Sequence, residues 1–281
     1  MLVFVIPLKS RVASKSWETA SNLLERTLQS VCNQTSPDFQ VIVVCHDRPN
    51  LQHDYSKVEF LEVNFTPPSR LTPSSGMADQ ERKLRIGADH ASTIAPASHL
   101  MFVDADDCVS SNLAEFVKQH QHCHGWFLDQ GYEYQDGNPR LKHRKQGFSK
   151  ICGTSNIVRA DLIHQYIEDL QLLETRFAEK RLFHTEIAKA MQARATPLSP
   201  LPFPGAVYIT DNSENLENQS TLVLQQIRSQ PVKLTKFYAM KLYKRLAAQP
   251  LTHALQQEFK LYSIAAIGSA QRITTDPRVQ Q

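Results

Sequence analysis

No stretch of this sequence approaches the roughly 20 consecutive apolar residues of a membrane-spanning helix, so the chain is not expected to cross a bilayer. Cysteine pairing is also missing. The five cysteines (Cys32, Cys45, Cys108, Cys123 and Cys152) are scattered, odd in number and contain no Cys-x-x-Cys. That argues against a disulfide framework or a zinc ribbon and suits a reducing cytoplasm. An excess of one charge is lacking too, a net +3 being too small to argue for nucleic acid. Internal repeats and low-complexity tracts are absent, which sets aside solenoids and disordered tails. What is present is 281 residues, 41% hydrophobic and 21% charged, enough for one large domain or a domain with an appendage.

Residues 1–6 are apolar but too short for a signal h-region, and Pro7 and Lys9 close them, so residues 2–8 are read as a first strand covered on both faces. Trp17, Ala20, Leu24, Leu28 and Val31 recur at helical spacing and predict an amphipathic helix over 17–32. Residues 40–45 form a second buried strand and 58–63 a third, which makes a βαβ unit with a right-handed crossover. Residues 64–78, with three prolines and one glycine, predict a long loop that closes over a ligand. Asp79 is read as the cap of a helix over 80–94 carrying Arg82, Lys83 and Arg85. Asn112 with Glu115 signals a helix over 112–122, and His120, His122 and His124 at its end fit a helix terminus better than a metal site. Strands are expected over 125–134 and 147–155, with a turn at Asp136-Gly137-Asn138-Pro139 between them. Arg140, Lys142, His143, Arg144 and Lys145 read as a solvated hairpin tip. Helices over 160–173, 184–193, 221–229, 233–248 and 251–267 complete the chain. The basic, aromatic residues of 233–248 are not confined to faces as a membrane helix requires, so packing on the main domain is expected. Alternating strand and helix in the first 120 residues means an α/β fold with a mainly parallel sheet.

The stretch that organises the chain is residues 99–111. Leu100 to Val103 is a short apolar strand that runs directly into Asp104, Asp106 and Asp107. Three like charges at the exit of a buried strand repel one another and are costly to desolvate. They are tolerable if a cation, water or capping N–H groups relieve them. The residues alone leave two readings open: a carboxylate pair that presents oxygens to a hard divalent cation, or a solvated turn with Asp107 or Ser110 capping the next helix.

Three segments together resemble the family-2 glycosyltransferases, enzymes with the GT-A fold. Residues 28–44 are similar to that family's opening helix, its Gln34-Thr35 turn and its second strand. Residues 101–107 are similar to its Asp-x-Asp motif, and residues 153–162 to the acceptor-side strand that leads into a helix. Residues 176–187 resemble the stretch that carries the family's catalytic acidic pair. The resemblance covers about residues 1–215 and implies a Rossmann-like mixed sheet flanked by helices, with 216–281 as a helical extension packed on it. It implies that Asp106 ligates Mn²⁺ or Mg²⁺, with Asp104 facing the ribose and a metal-bound water and Ala105 lying at the donor. It further implies Pro7, Lys9 and Asp47 near the nucleobase, Lys83 at the nucleotide, and Gly153, Thr154 and Ser155 on the acceptor side. The second strand ends here in Cys45-His46-Asp47-Arg48-Pro49 instead of the usual Asp-Asp-Gly-Ser. The acidic pair is replaced by Phe183-His184-Thr185-Glu186, which leaves His184 and Glu186 as rival bases.

The function so implied is a metal-dependent, inverting glycosyltransferase of the hexosyltransferase type. It would move a sugar from a nucleotide-sugar donor to a glycan, lipid-linked or other hydroxyl acceptor, in the cytoplasm, with no nucleic acid and at most peripheral membrane contact. Two rivals stand beside it. One is a non-catalytic relative that binds a nucleotide sugar or glycan. The other is a nucleotidyltransferase, which expects a glycine- and basic-rich loop after the first strand, whereas residues 9–14 hold no glycine.

Overall fold

The computed structural model describes residues 1–68, 73–94, 97–174, 184–210, 212, 214, 235 and 248–264. The elements of the first half are β1 (Leu2–Pro7), α1 (Trp17–Val31), β2 (Phe39–Cys45), β3 (Val58–Glu62), α2 (Pro73–Ala91), β4 (His99–Phe102), β5 (Cys108–Val109) and α3 (Leu113–Gln119). Those of the second half are β6 (Gly125–Phe127), β7 (Gly131–Gln135), β8 (Arg140–Arg144), β9 (Asn156–Arg159), α4 (Ala160–Glu174) and α5 (His184–Ala193). After them come β10 (Ser199–Pro200), β11 (Ala206–Thr210), β12 (Gln249–Pro250) and α6 (His253–Phe259). No described helix is long and apolar enough to cross a membrane.

β1 is buried over its whole length, and its side chains alternate between two cores as a period of two demands. Leu2, Phe4 and Ile6 pack with Leu24 and Leu28 of α1, while Val3 and Val5 pack with Leu84 and Ala88 of α2. Leu24, Leu28 and Val31 are fully buried at helical spacing, each such side chain contributing roughly 1.5–3 kcal/mol relative to exposure. α1 starts where Ser16 Oγ accepts from Thr19 N at 3.2 Å, an N-cap that satisfies one free helix donor. α2 crosses β1 so closely that a Cβ on Gly87 would lie 2.4 Å from Val5 Cγ1, so only glycine fits there.

The sequence of strands across the larger sheet is β10-β6-β9-β4-β1-β2-β3. β3, β2, β1 and β4 pair in parallel, and β9 is antiparallel to β4 and β6. This is the mixed sheet flanked by helices that the resemblance implied. The chain runs from β1 outward to β3 on one side, then returns through α2 to β4 on the other. That reversal opens a crevice beyond the carboxyl ends of β1 and β4, where open α/β sheets bind ligands. A second sheet, β12-β8-β7-β11-β5, stands beside the first. Only residues 103–107 separate β4 of the first sheet from β5 of the second. Beneath the second sheet Phe259 of α6 and Leu261 pack with Tyr132, Tyr134 and Val207.

Several expectations need correction. α2 begins at Pro73, so residues 73–78 are helical rather than part of a long loop. Proline is favoured in a helix's first turn because its missing N–H has no partner to lose there. Asp79 is therefore no cap but lies inside α2, buried against Lys83. The expected strand over 125–134 is two strands, β6 and β7, that belong to different sheets. Residues 147–155 hold a 3-10 turn at Phe148–Lys150 and further turns, and the strand starts only at Asn156. Asn112 makes no side-chain cap; Gln34 Oε1 accepts from Ala114 N at 2.9 Å in its place. α3 ends at Gln119, so His120 and His124 share no helix face, and His120 stacks on Phe116 at 4.3 Å. Arg85 is buried and pairs with Glu81 at 2.7 Å. In the basic hairpin, Lys142 and Arg144 both pair with Glu133. The helices expected over 221–229 and 233–248 lie, residues 235 and 248 apart, outside the described residues.

His99 at the start of β4 is fully enclosed, with Nε2 3.0 Å from the Cys123 carbonyl oxygen and its ring 5.2 Å from Trp126. Burial pulls its imidazole down to about 4 from 6.5. The folded chain thus binds this proton less readily than the unfolded chain. Its contribution to stability is complete above pH 6.5 and is lost as pH falls from 6.5 to about 4. Urea unfolding across that window should lose on the order of 3 kcal/mol from this residue. His99→Gln should flatten that part of the slope; an unchanged slope would assign the acid sensitivity to other groups.

Candidate functional site

The three carboxylates of residues 104–107 are sorted by the two sheets that hold them. Asp107 turns inward and is fully buried. Its Oδ2 accepts from Thr154 Oγ1 at 2.7 Å and Cys152 Sγ at 3.2 Å, and its Oδ1 accepts from Ile209 N at 3.1 Å. It is a tie between three segments and not a cap of the next helix. Asp104 and Asp106 face the crevice, each half-buried. Asp104 Oδ1 accepts from Gln80 Nε2 at 2.6 Å, and Asp106 Oδ2 from Asn212 Nδ2 at 2.7 Å.

Burial, then the charge of Asp106, pushes the Asp104 carboxyl up to about 7. Asp106 is raised by burial against the opposing pull of Asn212, Lys9 and Arg26, and Asp107 is raised well above the usual range by burial and both neighbours. Two desolvated carboxylates side by side, each accepting from a neutral side-chain amide, form an oxygen site that a hard cation would relieve. The described residues contain no group of three histidine, cysteine or acidic side chains suited to a metal. One or two carboxylates are the number with which Mg²⁺ is commonly held when substrate phosphates complete its shell. The donor set fits Mn²⁺ or Mg²⁺.

The residues at the carboxyl end of β1 are tied to the same place. Pro7 closes the strand. Lys9 Nζ donates to Glu214 at both Oε2 and the backbone oxygen, each at 2.7 Å. The Glu214 carboxylate also accepts from Ser16 N at 2.7 Å and Lys15 N at 3.2 Å, so it binds the residues leading into α1. Lys9 thus binds Glu214 and Asn212 binds Asp106, which ties these two residues after β11 to the exits of β1 and β4. Lys83 is wholly enclosed, donating to Leu8 O at 2.8 Å and Asp79 Oδ2 at 2.6 Å, and burial lowers its pKa. It fixes the exit of β1. Asp47 Oδ2 accepts from Arg11 N at 2.8 Å and so joins the loops after β1 and β2. Ala105 is half-buried between the two carboxylates.

Beside Asp104 a cavity of about 240 Å³ opens between α2 and α5. Gln80, Asp104, Asn156, His184 and Tyr208 give it polar groups, and Leu84, Phe102 and Ile187 an apolar wall. His184 is the first residue of α5, and burial lowers its pKa while a backbone bond with Lys150 opposes this. Its Nε2 has no hydrogen-bond partner among the described residues. A neutral imidazole protonated at Nδ1 would carry a bare lone pair there. Asn156 Nδ2 donates to His184 O at 3.0 Å, and its Oδ1 is likewise without a partner. Glu186 is 46% exposed, pairs with Lys189 at 2.8 Å and does not line the cavity. Gly153 lines the cavity, whereas Thr154 and Ser155 are buried beneath it.

Gln80, Asn156, Asn212 and Glu214 were not foreseen. None carries a local motif, and each reaches the site through pairing between distant segments. The β4–β9 register, Met101 opposite Ile157, brings residues 153–156 alongside Val103 and Asp104. The approach is so tight that a Cβ on Gly153 would lie 2.3 Å from Asp104 Oδ2. Gly153→Ala should therefore displace the Asp104 carboxylate and cost about 1–3 kcal/mol as overpacking. Denaturant unfolding of the variant checks this; undiminished stability would show that the loop has room to spare.

No protein-family model matches the chain, and no curated protein matches it. Among solved structures it is similar to S. aureus TarS 1-349 in complex with UDP-GlcNAc, at 15% identity over 77% of this chain and 60% of that one, with a TM-score of 0.45. It is also similar to the Francisella tularensis 2-C-methyl-D-erythritol 4-phosphate cytidylyltransferase IspD, at 11% identity over 79% and 96% of the two chains and a TM-score of 0.38. The chain thus spans 60% of the TarS segment. These likenesses lie in loose α/β architecture and assign neither family nor activity.

Proposed function

We propose that the chain is a metal-dependent, inverting glycosyltransferase of the hexosyltransferase type that uses a nucleotide-sugar donor. The observation that carries this reading is the Asp104–Asp106 pair at the carboxyl end of β4, at the point where strand order reverses, next to a cavity holding an unpartnered His184 Nε2. Asp104 and Asp106 would hold Mn²⁺ or Mg²⁺, which when bound neutralises charge on a leaving diphosphate. Pro7, Lys9, Asp47 and Ala105 border the donor's side of the crevice. His184 takes the proton of an acceptor hydroxyl at Nε2, and Asn156 Oδ1 accepts a hydrogen bond from the same acceptor. The apolar wall of the cavity excludes water from the transfer. A glycan or lipid-linked hydroxyl is the acceptor class in this reading, with residues 1–215 as the transferase domain and 216–281 as its extension. Five free cysteines, three of them buried, are in keeping with a cytoplasmic site of action.

Asp106→Ala should abolish metal-dependent binding of a nucleoside diphosphate while leaving the fold intact, since removing the charge relieves its repulsion with Asp104 and Asp107. Calorimetry with a nucleoside diphosphate and Mn²⁺ measures this. Binding as tight as wild type would reject the carboxylate pair as the cation site.

The base is tested by the pH profile of donor turnover. His184 must be neutral to act, and its pKa lies below 6.5, so activity should rise through an acid limb below that pH and then stay level. His184→Ala should lose on the order of 10²–10⁴-fold in rate, and Glu186→Ala, already paired with Lys189, should lose little. The reverse pattern would move the base to Glu186. Donor binding with no turnover under any acceptor would favour the non-catalytic relative.

A further inference from the structure

We infer that Thr154 is a positioning residue that sets the direction of the Asp104 carboxylate through a hydroxyl held on both sides. Asp104 leaves β4 where ladder pairing stops, so its backbone N–H has no partner in the sheet. Thr154 Oγ1 accepts that N–H at 2.9 Å. A hydroxyl has a single proton, and this one is given to Asp107 Oδ2 at 2.7 Å. With the proton so placed, a lone pair of Oγ1 is left aimed at Asp104. Asp107 is itself fixed by Ile209 N of β11 and by Cys152. The chain of contacts runs from β11 through Asp107 and Thr154 to Asp104, and Gly153 beside it leaves the space that Asp104 Oδ2 occupies. Thr154 is completely buried and touches the crevice only through this relay. Its role is therefore on the carboxylate side and not, as the resemblance implied, on the acceptor side.

The inference rests on the donor-site reading above, and two variants separate the two. Thr154→Val keeps the shape and removes the hydroxyl, while Thr154→Ser keeps the hydroxyl. Native-state hydrogen exchange of the Asp104 amide should lose its protection in the valine variant and keep it in the serine variant. Calorimetric affinity for a nucleoside diphosphate with Mn²⁺ should fall about 10–100-fold in Thr154→Val, as for other residues that orient a metal ligand, and recover in Thr154→Ser. Thr154→Ala, which only removes atoms, serves where the valine variant does not fold. A wild-type protein that binds no nucleoside diphosphate with Mn²⁺ overturns the donor-site reading itself. Wild-type binding that the valine or alanine variant matches, with or without a lower melting temperature, overturns the positioning role alone.

Discussion

Residues 103–107 are the constraint on which the rest of the structure depends. They join two sheets, carry three carboxylates and leave no length to spare. β4 enters them from buried Leu100, Met101 and Phe102, and β5 leaves them through buried Cys108 and Val109. Ionised side chains cannot be buried at such a junction without partners, because the desolvation cost exceeds any packing gain. The fold resolves this by division. Asp107 takes the inward direction and collects a hydroxyl, a thiol and a backbone N–H. Asp104 and Asp106 turn out to the crevice with one side-chain amide each.

This division accounts for features that are otherwise unconnected. The antiparallel insertion of β9 next to β4 is what delivers Gly153 and Thr154 to the junction. The parallel pairing of β11 with β7, and its antiparallel contact with β5, brings Ile209 and then Asn212 to the same few residues. Glu214 extends that strand's reach to Lys9 and to the start of α1, so the first turn of the chain and the end of the second sheet meet at one site. Lys83 and Asp79, buried together, hold the exit of β1 from behind. A charged pair in so enclosed a place is weak evidence of stability, since desolvation offsets most of the attraction. Its effect is to fix geometry, with the Lys83 ammonium bonded to the Leu8 carbonyl.

Much of the framework was legible in the sequence because it is written locally. The apolar runs of β1, β2 and β4, the helical spacing of α1 and the start of α5 at His184 all match the pattern of side chains along the chain. The acidic cluster was legible too, since three carboxylates after an apolar strand demand a reason. The failures share a physical cause. Residues 147–155 alternate like a strand, but the sheet's register gives pairing only from Asn156. The resemblance places Lys83 at the nucleotide, and the tertiary contacts with Leu8 and Asp79 explain its burial. Thr154 reaches the Asp104 backbone N–H and Asn212 the Asp106 carboxylate from segments 50 and 106 residues away, a distance across which no spacing rule operates.

The central claim is that Asp104 and Asp106 form a cation-dependent site for a diphosphate-bearing nucleotide. Its most direct test is the melting temperature of the wild-type protein with nucleoside diphosphates, Mn²⁺ or Mg²⁺, each alone and together. At 100 times the dissociation constant a ligand adds about 2.7 kcal/mol, a rise of several degrees. The account predicts that rise only when nucleotide and metal are both present, and its loss on adding a chelator. A rise that needs no metal, or none with any nucleotide, would contradict it.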